Sequence, residues 1–324
     1  MNADASNTPS QFLSVAADTE IEFCLAANDP NGNPTTGINR VNAGQASWSS
    51  TNQIDNTLKP STIWNRDHYL NFWSVDFGGN GLLGYAQFPG GGANTDGVVV
   101  GYQYVGRYPD NPNINSYNLG RTATHEVGHW LNLRHIWGDG GCGQDDGVND
   151  TPDSDGANYG CAAGNISCGT EDMPQNYMDY SDDDCMNLFT QGQGTRMQAA
   201  LTGPRSSLLT SEGCTPLNYF SYGGQVIDAE TGNGVPNAKV LFASNTFNIE
   251  LSTNANGNFN TANFLEGTYT VYAGKWGYRT KDVPGTTVVD GSSPITIEIN
   301  TGYYDDFILD FEWGTTGAAT TGMW

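Results

Sequence analysis

Apolar residues in the first hundred positions come in short runs, which glycine-rich loops separate. Residues 21–25 are apolar at every second position, as in a strand with two unlike faces. Three further runs, at 69–75, 82–88 and 98–104, have the length and the bounding turn residues of strands. The pattern therefore predicts a small sheet in this part of the chain.

Residues 118–132 contain no proline and have a helical spacing. Their apolar positions recur at intervals of three and four residues, with polar residues between them. We predict the main helix here and a shorter helix at 194–201. The long stretch 137–188 is rich in glycine, aspartate and asparagine, and we expect disulfides and bound ions to hold it.

After about residue 219 the chain changes to short β-type runs, separated by turn signals such as Asn256-Gly257. Their spacing is typical of a sandwich. The runs lie at 225–228, 238–242, 268–273 and 295–299. We therefore divide the chain into a first domain at 1–218, a β-sandwich domain at 219–301, and a truncated further module or tail at 302–324.

The 324 residues include 12 lysines and arginines against 35 aspartates and glutamates, a formal net charge of -23. This charge excludes nucleic acid as a partner, because a phosphate backbone is bound by clustered basic residues. No apolar run approaches the roughly 20 residues that cross a bilayer. Six cysteines in an acidic, aromatic-rich chain indicate a folded, secreted protein. The first residues lack a signal-peptide pattern, so we expect a removed leader or a fragment.

Three of the four histidines lie in one short segment, which is the clearest chemical signal in the chain. A step of four residues on a helix turns about 400°, so His125 and His129 project from one face and share one ion. Glu126 lies beside them, where it serves as a general base. His135 lies six residues beyond His129, so the helix must end first, and Asn132 tolerates the left-handed conformation that this reversal needs.

Three imidazoles leave the fourth tetrahedral position of zinc open, as in catalytic sites. Zinc acidifies water and polarises a carbonyl, and Glu126 moves the proton, so the pattern predicts peptide hydrolysis. The alternatives for the motif are a chance pattern on a surface helix and a structural zinc site. The second functional hypothesis is a non-catalytic binding or adhesion module that retains zinc. We interpret His68, which stands alone, as an ordinary packed or surface histidine.

The segment from His125 to His135 resembles the extended zinc motif of the metzincin metalloproteases, with Asn132 at the family's usual glycine. Residues 176–180 resemble the methionine turn of the same clan. Further stretches are similar to the pappalysin family, in its ulilysin-like (cytophagalysin-like) branch, over roughly residues 1–215. These stretches are 21–26, 83–86, 96–98, 120–122 and 146–152.

The resemblance implies an α+β metzincin-type domain with a twisted mixed sheet, a zinc-binding helix and a loop-rich C-terminal subdomain. It implies that Met178 forms a hydrophobic base under the zinc and that Tyr180 stabilises the tetrahedral intermediate. Alone, a methionine and a tyrosine at this spacing are equally consistent with plain core residues. The family's edge strand, which binds substrate by β-addition, corresponds to Gly84, Tyr85 and Ala86.

In the same family, an aspartate before the last loop cysteine favours arginine or lysine after the cut bond, and Asp184 matches it. The alternative is a solvated acidic run, since two further aspartates precede Asp184. Calcium binds the loop after the zinc helix in ulilysin-like enzymes, and the corresponding oxygen ligands here are Asp146, Asp150 and Thr151. Family spacing pairs Cys142 with Cys168 and Cys161 with Cys185, which leaves Cys24 and Cys214, although sequence alone does not choose among the possible pairings.

Residues 224–228, 267–271 and 275–278 resemble the prealbumin-like carboxypeptidase regulatory domain, a small all-β sandwich, which we interpret as a spacer rather than a substrate-holding module. Family members normally begin with a further strand and helix, so we expect a fragment of lower stability than an intact relative. We expect zinc and calcium as cofactors, protein or peptide substrates, no nucleic-acid partner and no membrane span.

Overall fold

In a computed structural model, the chain is described over residues 4–107, 116–245, 247–302, 308–309 and 311. It divides into two compact units, one of residues 1–26 with 38–214 and the other of residues 27–37 with 215–324. Residues 27–37, which the sequence analysis assigns to the first domain, therefore group with the second unit. Most of the tail predicted at 302–324 lies outside the described residues.

The first unit contains a three-stranded mixed sheet of β1 (Phe72–Val75), β2 (Gly84–Ala86) and β3 (Val98–Gly101). Its strand order is β1-β3-β2, with β1 parallel and β2 antiparallel to β3. β3 is the central strand, and all four of its residues are buried because both of its faces are covered. β2 is consequently an edge strand of this sheet.

The strand predicted at 21–25 is wrong, because these residues form no strand. Ile21 is buried, but Phe23 and Leu25 are exposed. Alternation produces a strand only where a neighbouring strand pairs with its backbone groups. Here the segment is held through a side chain instead, since Cys24 is bonded to Cys214.

The described residues of the first unit include four α-helical segments. They are α1 (Thr51–Gln53), α2 (Lys59–Thr62), α3 (Arg121–Trp130) and α4 (Gln191–Thr202), and a π-helical turn at Ile54–Leu58 joins α1 to α2. α3 and α4 correspond to the two helices predicted from the sequence. The side chain of Thr190 accepts a hydrogen bond from the backbone of Gln193, and Gln193 returns one, so a capping box starts α4.

Two apolar clusters cover the two faces of the sheet. Val98 and Val100 of β3 point into the main core, which they share with α3 and α4, whereas Val99 points to a smaller cluster against the π-helical turn. Such alternation is the side-chain period of a strand. α3 therefore lies directly on the sheet, with most of its residues buried.

A buried ion pair joins the end of α3 to the loops that flank β2. The guanidinium of Arg205 bonds both carboxylate oxygens of Asp96, at 2.8 and 3.0 Å, and lies 3.9 Å from the ring centre of Trp130. Arg205 also donates to the carbonyl of Trp130 at 2.8 Å and to that of Gln87, directly after β2, at 3.3 Å. Because its donors are satisfied, the pair fixes β2 relative to α3.

Residues 137–188 contain little regular structure beyond a short hairpin of β4 (Ile166–Ser167) and β5 (Thr170–Glu171). Three disulfides hold the first unit, with the pairing that the family resemblance implies. They are Cys24–Cys214, Cys142–Cys168 and Cys161–Cys185. The last two cross-link this long loop region, as its length and composition lead one to expect.

In the part of the second unit that the structure describes there are seven strands. They are β6 (Phe220–Asp228), β7 (Lys239–Ala243), β8 (Asn248–Ser252), β9 (Asn258–Phe264), β10 (Gly267–Gly274), β11 (Lys281–Val288) and β12 (Ile295–Ile299). They form two sheets, ordered β11-β10-β7-β8 and β12-β6-β9. A shared apolar core draws buried residues from both sheets, which makes this unit the predicted all-β sandwich. None of the described helices has the length and apolarity needed to cross a membrane.

Candidate active site

The three clustered histidines meet at one point of the first unit. His125 and His129 project from one face of α3, with ring centres 4.7 Å apart, and the Nε2 atoms of His129 and His135 are 3.1 Å apart. One nitrogen from each of the three rings lies within 4.8 Å of the other two. Among the described residues, this is the one group of three or more His, Cys, Asp or Glu ligand atoms gathered closely enough to hold an ion.

α3 ends in a tight reversal that brings His135 back to the other two rings. Asn132 has φ +74°, the left-handed conformation predicted for it. The amide of Leu133 donates to the carbonyl of Gly128 and that of Asn132 to the carbonyl of His129, both at 2.9 Å, which are the two bonds of a Schellman motif. Arg196 of α4 donates to the carbonyl of Asn132 at 2.7 Å and holds the turn from outside.

Backbone carbonyls orient the two helical histidines. The Nδ1 atom of His125 lies 2.8 Å from the carbonyl oxygen of Tyr177, and that of His129 lies 2.8 Å from that of Leu133. Each Nδ1 therefore donates, which leaves each Nε2 unprotonated and free to bind a metal. Burial lowers the pKa of His125 well below its usual value and that of His129 to about 4. Both rings are consequently neutral, which is the form that binds metals.

Glu126 lies on α3 beside this cluster and is buried. Burial raises the pKa of its carboxyl group to about 8. A cation bound nearby would offset this shift, since an opposite charge favours the ionised form. Gly84 of β2 packs against the side chain, and a Cβ atom at that position would lie 2.8 Å from Cγ and 2.9 Å from Oε1 of Glu126.

The methionine turn supports the other side of α3. Met178 is fully buried, and a Cβ atom at Gly128 would collide with its sulfur, so the helix approaches the turn as closely as a glycine allows. The ring of Tyr180 is 39 % exposed and lies 4.9 Å from that of His135 and 5.6 Å from that of His125, measured between ring centres. Desolvation raises the pKa of the Tyr180 hydroxyl, which therefore remains a hydrogen-bond donor.

A buried polar network holds Asp179, between the methionine and the tyrosine of this turn. The Asp179 carboxylate accepts hydrogen bonds from the backbone and the side-chain amide of Asn158, at 2.8 and 2.9 Å. The amide of Tyr180 also donates to it at 2.8 Å. The loop after α3 is thereby bonded to the methionine turn, and the position of Tyr180 depends on both.

Two acidic residues outside the predicted set hold parts of the site. Asp183 accepts hydrogen bonds from the amides of Leu119 and Arg121, at 2.8 and 3.2 Å, and so caps the start of α3. Asp139 contacts Nδ1 of His135 at 2.5 Å. No local sequence pattern indicates the cap by Asp183, because Asp183 lies 62 positions after Arg121. Asp139 lies only four positions after His135, so a search for acidic residues near each histidine would have found it.

Three further residues named in the sequence analysis lie outside the histidine cluster. Tyr85 of β2 donates to Asp55 at 2.8 Å, and Asp55 also pairs with buried Lys59 at 2.8 Å, so the edge strand is anchored from behind. Asp184 is exposed, while its neighbour Asp183 is buried. His68 is exposed and takes no part in the cluster, in agreement with its interpretation as an ordinary histidine.

The residues predicted to bind calcium are part of internal hydrogen bonds. Thr151 donates to both carboxylate oxygens of Asp146, at 3.0 and 3.1 Å, and the amide of Val148 donates to one of them at 2.8 Å. Asp150 accepts from Thr190 at 2.6 Å and from the amide of Gly192 at 2.8 Å. Burial raises the pKa of Asp146 to about 6. Calcium binding here stays a prediction.

Comparison with known families gives two matches along the chain. A model of the peptidase M43 family, described as pregnancy-associated plasma protein-A, matches residues 52–202. A model of the carboxypeptidase regulatory-like domain matches residues 223–300. The first range contains the three histidines, Glu126 and the methionine turn, and the second contains nearly all of the sandwich.

Several fungal extracellular metalloproteases are similar to this chain. Extracellular metalloprotease 1 of Coccidioides posadasii is 46 % identical over 123 residues, which are 37 % of this chain and 45 % of that protein. An extracellular metalloprotease of Pyricularia oryzae is 37 % identical over 187 residues, 56 % of this chain and 61 % of that protein. The chain thus spans about half the length of the curated relatives it matches.

Similar solved structures are of mirolysin. Mirolysin in complex with compound 9 is 44 % identical, with a TM-score of 0.61, over 67 % of this chain and 85 % of that one. Mature mirolysin of Tannerella forsythia in complex with a cleaved peptide is 45 % identical, with a TM-score of 0.59, over 65 % of this chain and 82 % of that one. With the match of the family model over the histidine cluster, this likeness confirms the resemblance to pappalysins: the chain belongs to the peptidase M43 family of metalloproteases.

Proposed function

We propose that this chain is a secreted, zinc-dependent endopeptidase that hydrolyses peptide bonds in proteins. The observation that carries the proposal is the convergence of three imidazole nitrogens within 4.8 Å of one another, with the buried carboxyl of Glu126 beside them. Extracellular metalloproteases among the relatives and three disulfides in the chain support secretion.

His125, His129 and His135 are the residues that hold zinc in this proposal. Neutral imidazoles are a donor set that zinc prefers, and three of them without a fourth protein ligand are typical of catalytic rather than structural sites. Zinc held by these residues would supply Lewis acidity, which polarises a carbonyl group and lowers the pKa of water. A calcium or magnesium ion fits the three nitrogens poorly, because both of these ions prefer oxygen ligands.

Glu126 is proposed as the general base and acid. A carboxylate oxygen of Glu126 takes the proton of the water that attacks the scissile carbonyl, and it then passes the proton to the leaving amine nitrogen. Its buried position beside Gly84 keeps bulk water away from this carboxylate, so its proton affinity depends on the few charges nearby.

Tyr180 is proposed to stabilise the oxyanion of the tetrahedral intermediate. Its ring lies beside His135 and remains partly exposed, and its raised pKa keeps the hydroxyl protonated as a donor. Met178 is proposed as the hydrophobic support beneath the metal site, since its side chain packs under α3 against Gly128.

The edge strand β2 is proposed to bind the substrate backbone. Gly84, Tyr85 and Ala86 pair with β3 on one side, which leaves the other side of the strand for β-addition by an extended peptide. The anchoring of Tyr85 by Asp55 and the bond from Arg205 to the carbonyl of Gln87 hold this edge in place. Asp184, exposed beside the Cys161–Cys185 disulfide, is proposed to favour arginine or lysine after the cut bond.

Calcium is proposed to bind the loop that contains Asp146, Asp150 and Thr151. All three side chains offer the hard oxygen atoms that calcium prefers. A buried carboxylate such as Asp146 is costly to ionise, and a bound calcium ion would favour its ionised form.

Substitution of the proposed catalytic residues should separate their roles. We expect Glu126→Gln to lower kcat/KM for casein or a quenched peptide about 100- to 10,000-fold, because proton transfer is lost. Tyr180→Phe should lower kcat about 100- to 1,000-fold with little change in KM, because an oxyanion donor is lost. Zinc content, measured by atomic absorption, should stay near that of the unsubstituted protein in both variants.

The matched control is His68→Ala, which should cleave like the unsubstituted chain, whereas His129→Ala should lose zinc and activity together. Equal cleavage by the Glu126→Gln variant and the unsubstituted chain would contradict the assignment and indicate a contaminating protease. A chain that holds zinc and cleaves nothing would instead support the non-catalytic binding module.

The contact between Gly84 and Glu126 predicts a second effect on catalysis. Gly84→Ala places a methyl group against the Glu126 side chain, and the displaced carboxylate should lower kcat/KM about 10- to 100-fold. The control is Gly156→Ala, since that position has an ordinary φ and open space around it. Both variants should keep their zinc. Equal kcat/KM values for the two variants would refute the prediction.

The proposed preference for basic residues is tested on peptides that differ only after the cut bond. Asp184→Asn should lower the ratio of kcat/KM for arginine over alanine by about 10-fold, since a bond to a charged group is lost. Asp182→Asn is the control, because it removes the same charge from the same acidic run. A similar fall in both variants would show that the run attracts cations without a dedicated contact at position 184.

The calcium proposal predicts a change in thermal stability. Calcium at about 100 times its Kd should raise the unfolding midpoint of the first unit by roughly 5 to 10 °C, as measured by calorimetry. Asp146→Asn should lose most of this increase, and Asp67→Asn, which changes an exposed aspartate, should keep it. A midpoint of the unsubstituted chain that does not respond to calcium would remove the proposal.

A further inference from the structure

His135 is the one histidine of the cluster whose Nδ1 atom is held by a side chain. The rings of His125 and His129 are each oriented by a backbone carbonyl, which no substitution removes. The Nδ1 atom of His135 instead contacts the carboxylate of Asp139 at 2.5 Å. We propose that Asp139 is a positioning residue for His135, which it holds in the orientation and tautomer that complete the metal site.

The backbone at Asp139 supports this role, because it turns through a left-handed conformation. Asp139 has φ +62° and follows Gly138, which has φ +61°. This conformation is costly for most non-glycine residues, and aspartate adopts it where its short side chain forms a local hydrogen bond. Such strain persists where another interaction requires it, and it concentrates at functional sites. The two left-handed residues turn the chain back, so that the Asp139 carboxylate meets the ring four positions earlier.

The Asp139 side chain is too exposed to contribute to packing of the core. The Asp139 side chain is 60 % exposed, whereas that of His135 is only 15 % exposed. An exposed ion pair on a surface contributes little stability. The contact is therefore better explained by its effect on the ring than by its contribution to folding.

One face of the same imidazole ring is also held by a neighbour. The indole of Trp137 stacks on His135, with ring centres 4.3 Å apart and an angle of 3° between the planes. The stack sets the plane of the imidazole, but a flip of the ring by 180° about the Cβ–Cγ bond would keep that plane. The bond from Nδ1 to Asp139 selects one of the two orientations and places the proton on Nδ1, so that Nε2 faces His129 at 3.1 Å.

The inference rests on the proposed zinc site and adds how its third ligand is held. A carboxylate that orients a histidine ligand typically contributes 10- to 100-fold to metal affinity. Asp139 is exposed, so its substitution changes zinc affinity and leaves the buried core unchanged.

The test compares three variants of the full chain: Asp139→Asn, Asp139→Gly and the control Asp67→Asn. Zinc Kd is measured on metal-free protein by competition with a chromogenic chelator, and the unfolding midpoint of the metal-free protein is measured beside it. We expect Asp139→Asn to raise the zinc Kd by about 10-fold and Asp139→Gly by up to about 100-fold. The metal-free midpoint of Asp139→Gly should stay at or above that of the unsubstituted chain, because glycine relieves the left-handed strain. Asp67→Asn should change neither value.

A merely structural role gives the opposite result, a lower metal-free midpoint with an unchanged zinc Kd. Values of Kd within twofold of the unsubstituted chain for both Asp139 variants would overturn the inference, and Asp139→Asn, which keeps the shape of the side chain, decides it if the glycine variant folds poorly. Failure of the unsubstituted chain and of Asp67→Asn to bind zinc would overturn the proposed function itself, and this inference with it.

Discussion

The close packing of α3 on two sides is the constraint on which the site depends. β2 touches the helix at Gly84, which lies against Glu126, and the methionine turn touches it at Gly128, which lies against Met178. Neither contact has room for a methyl group without displacement of its neighbour. Since His125, Glu126 and His129 lie within five consecutive positions of this helix, any shift of α3 moves two imidazole rings and the carboxyl group together.

The loops beyond α3 are held by cross-links in place of regular secondary structure. Two disulfides close the region, and buried Asp172 and Asp179 each bind surrounding amide or hydroxyl groups. Asn158 donates to both carboxylates, so it connects the two centres of the network. A satisfied polar network of this kind specifies one arrangement of the chain, because each alternative leaves a buried group without its partner.

Local patterns predicted the centre of the site, and distant contacts account for most of what they missed. The helical spacing, the histidine pair and the left-handed Asn132 are properties of neighbouring residues, and all three are present in the structure. The strand predicted at 21–25 was wrong because alternation does not show whether a pairing partner exists. The cap of α3 by Asp183 and the grouping of residues 27–37 with the second unit depend on chain segments far apart in sequence, for which one sequence carries no signal. The family resemblance supplied the disulfide pairing, which spacing alone leaves open.

Asp183 and Asp184 are consecutive residues that face different surroundings. Asp183 is buried and bonds the first turn of α3, while Asp184 is exposed, and Cys185 follows in a disulfide. The backbone of this segment is therefore held at positions 183 and 185. A substitution at position 184 changes the charge of an exposed surface, and it leaves in place both the cap of the helix that carries the histidines and the disulfide beside it.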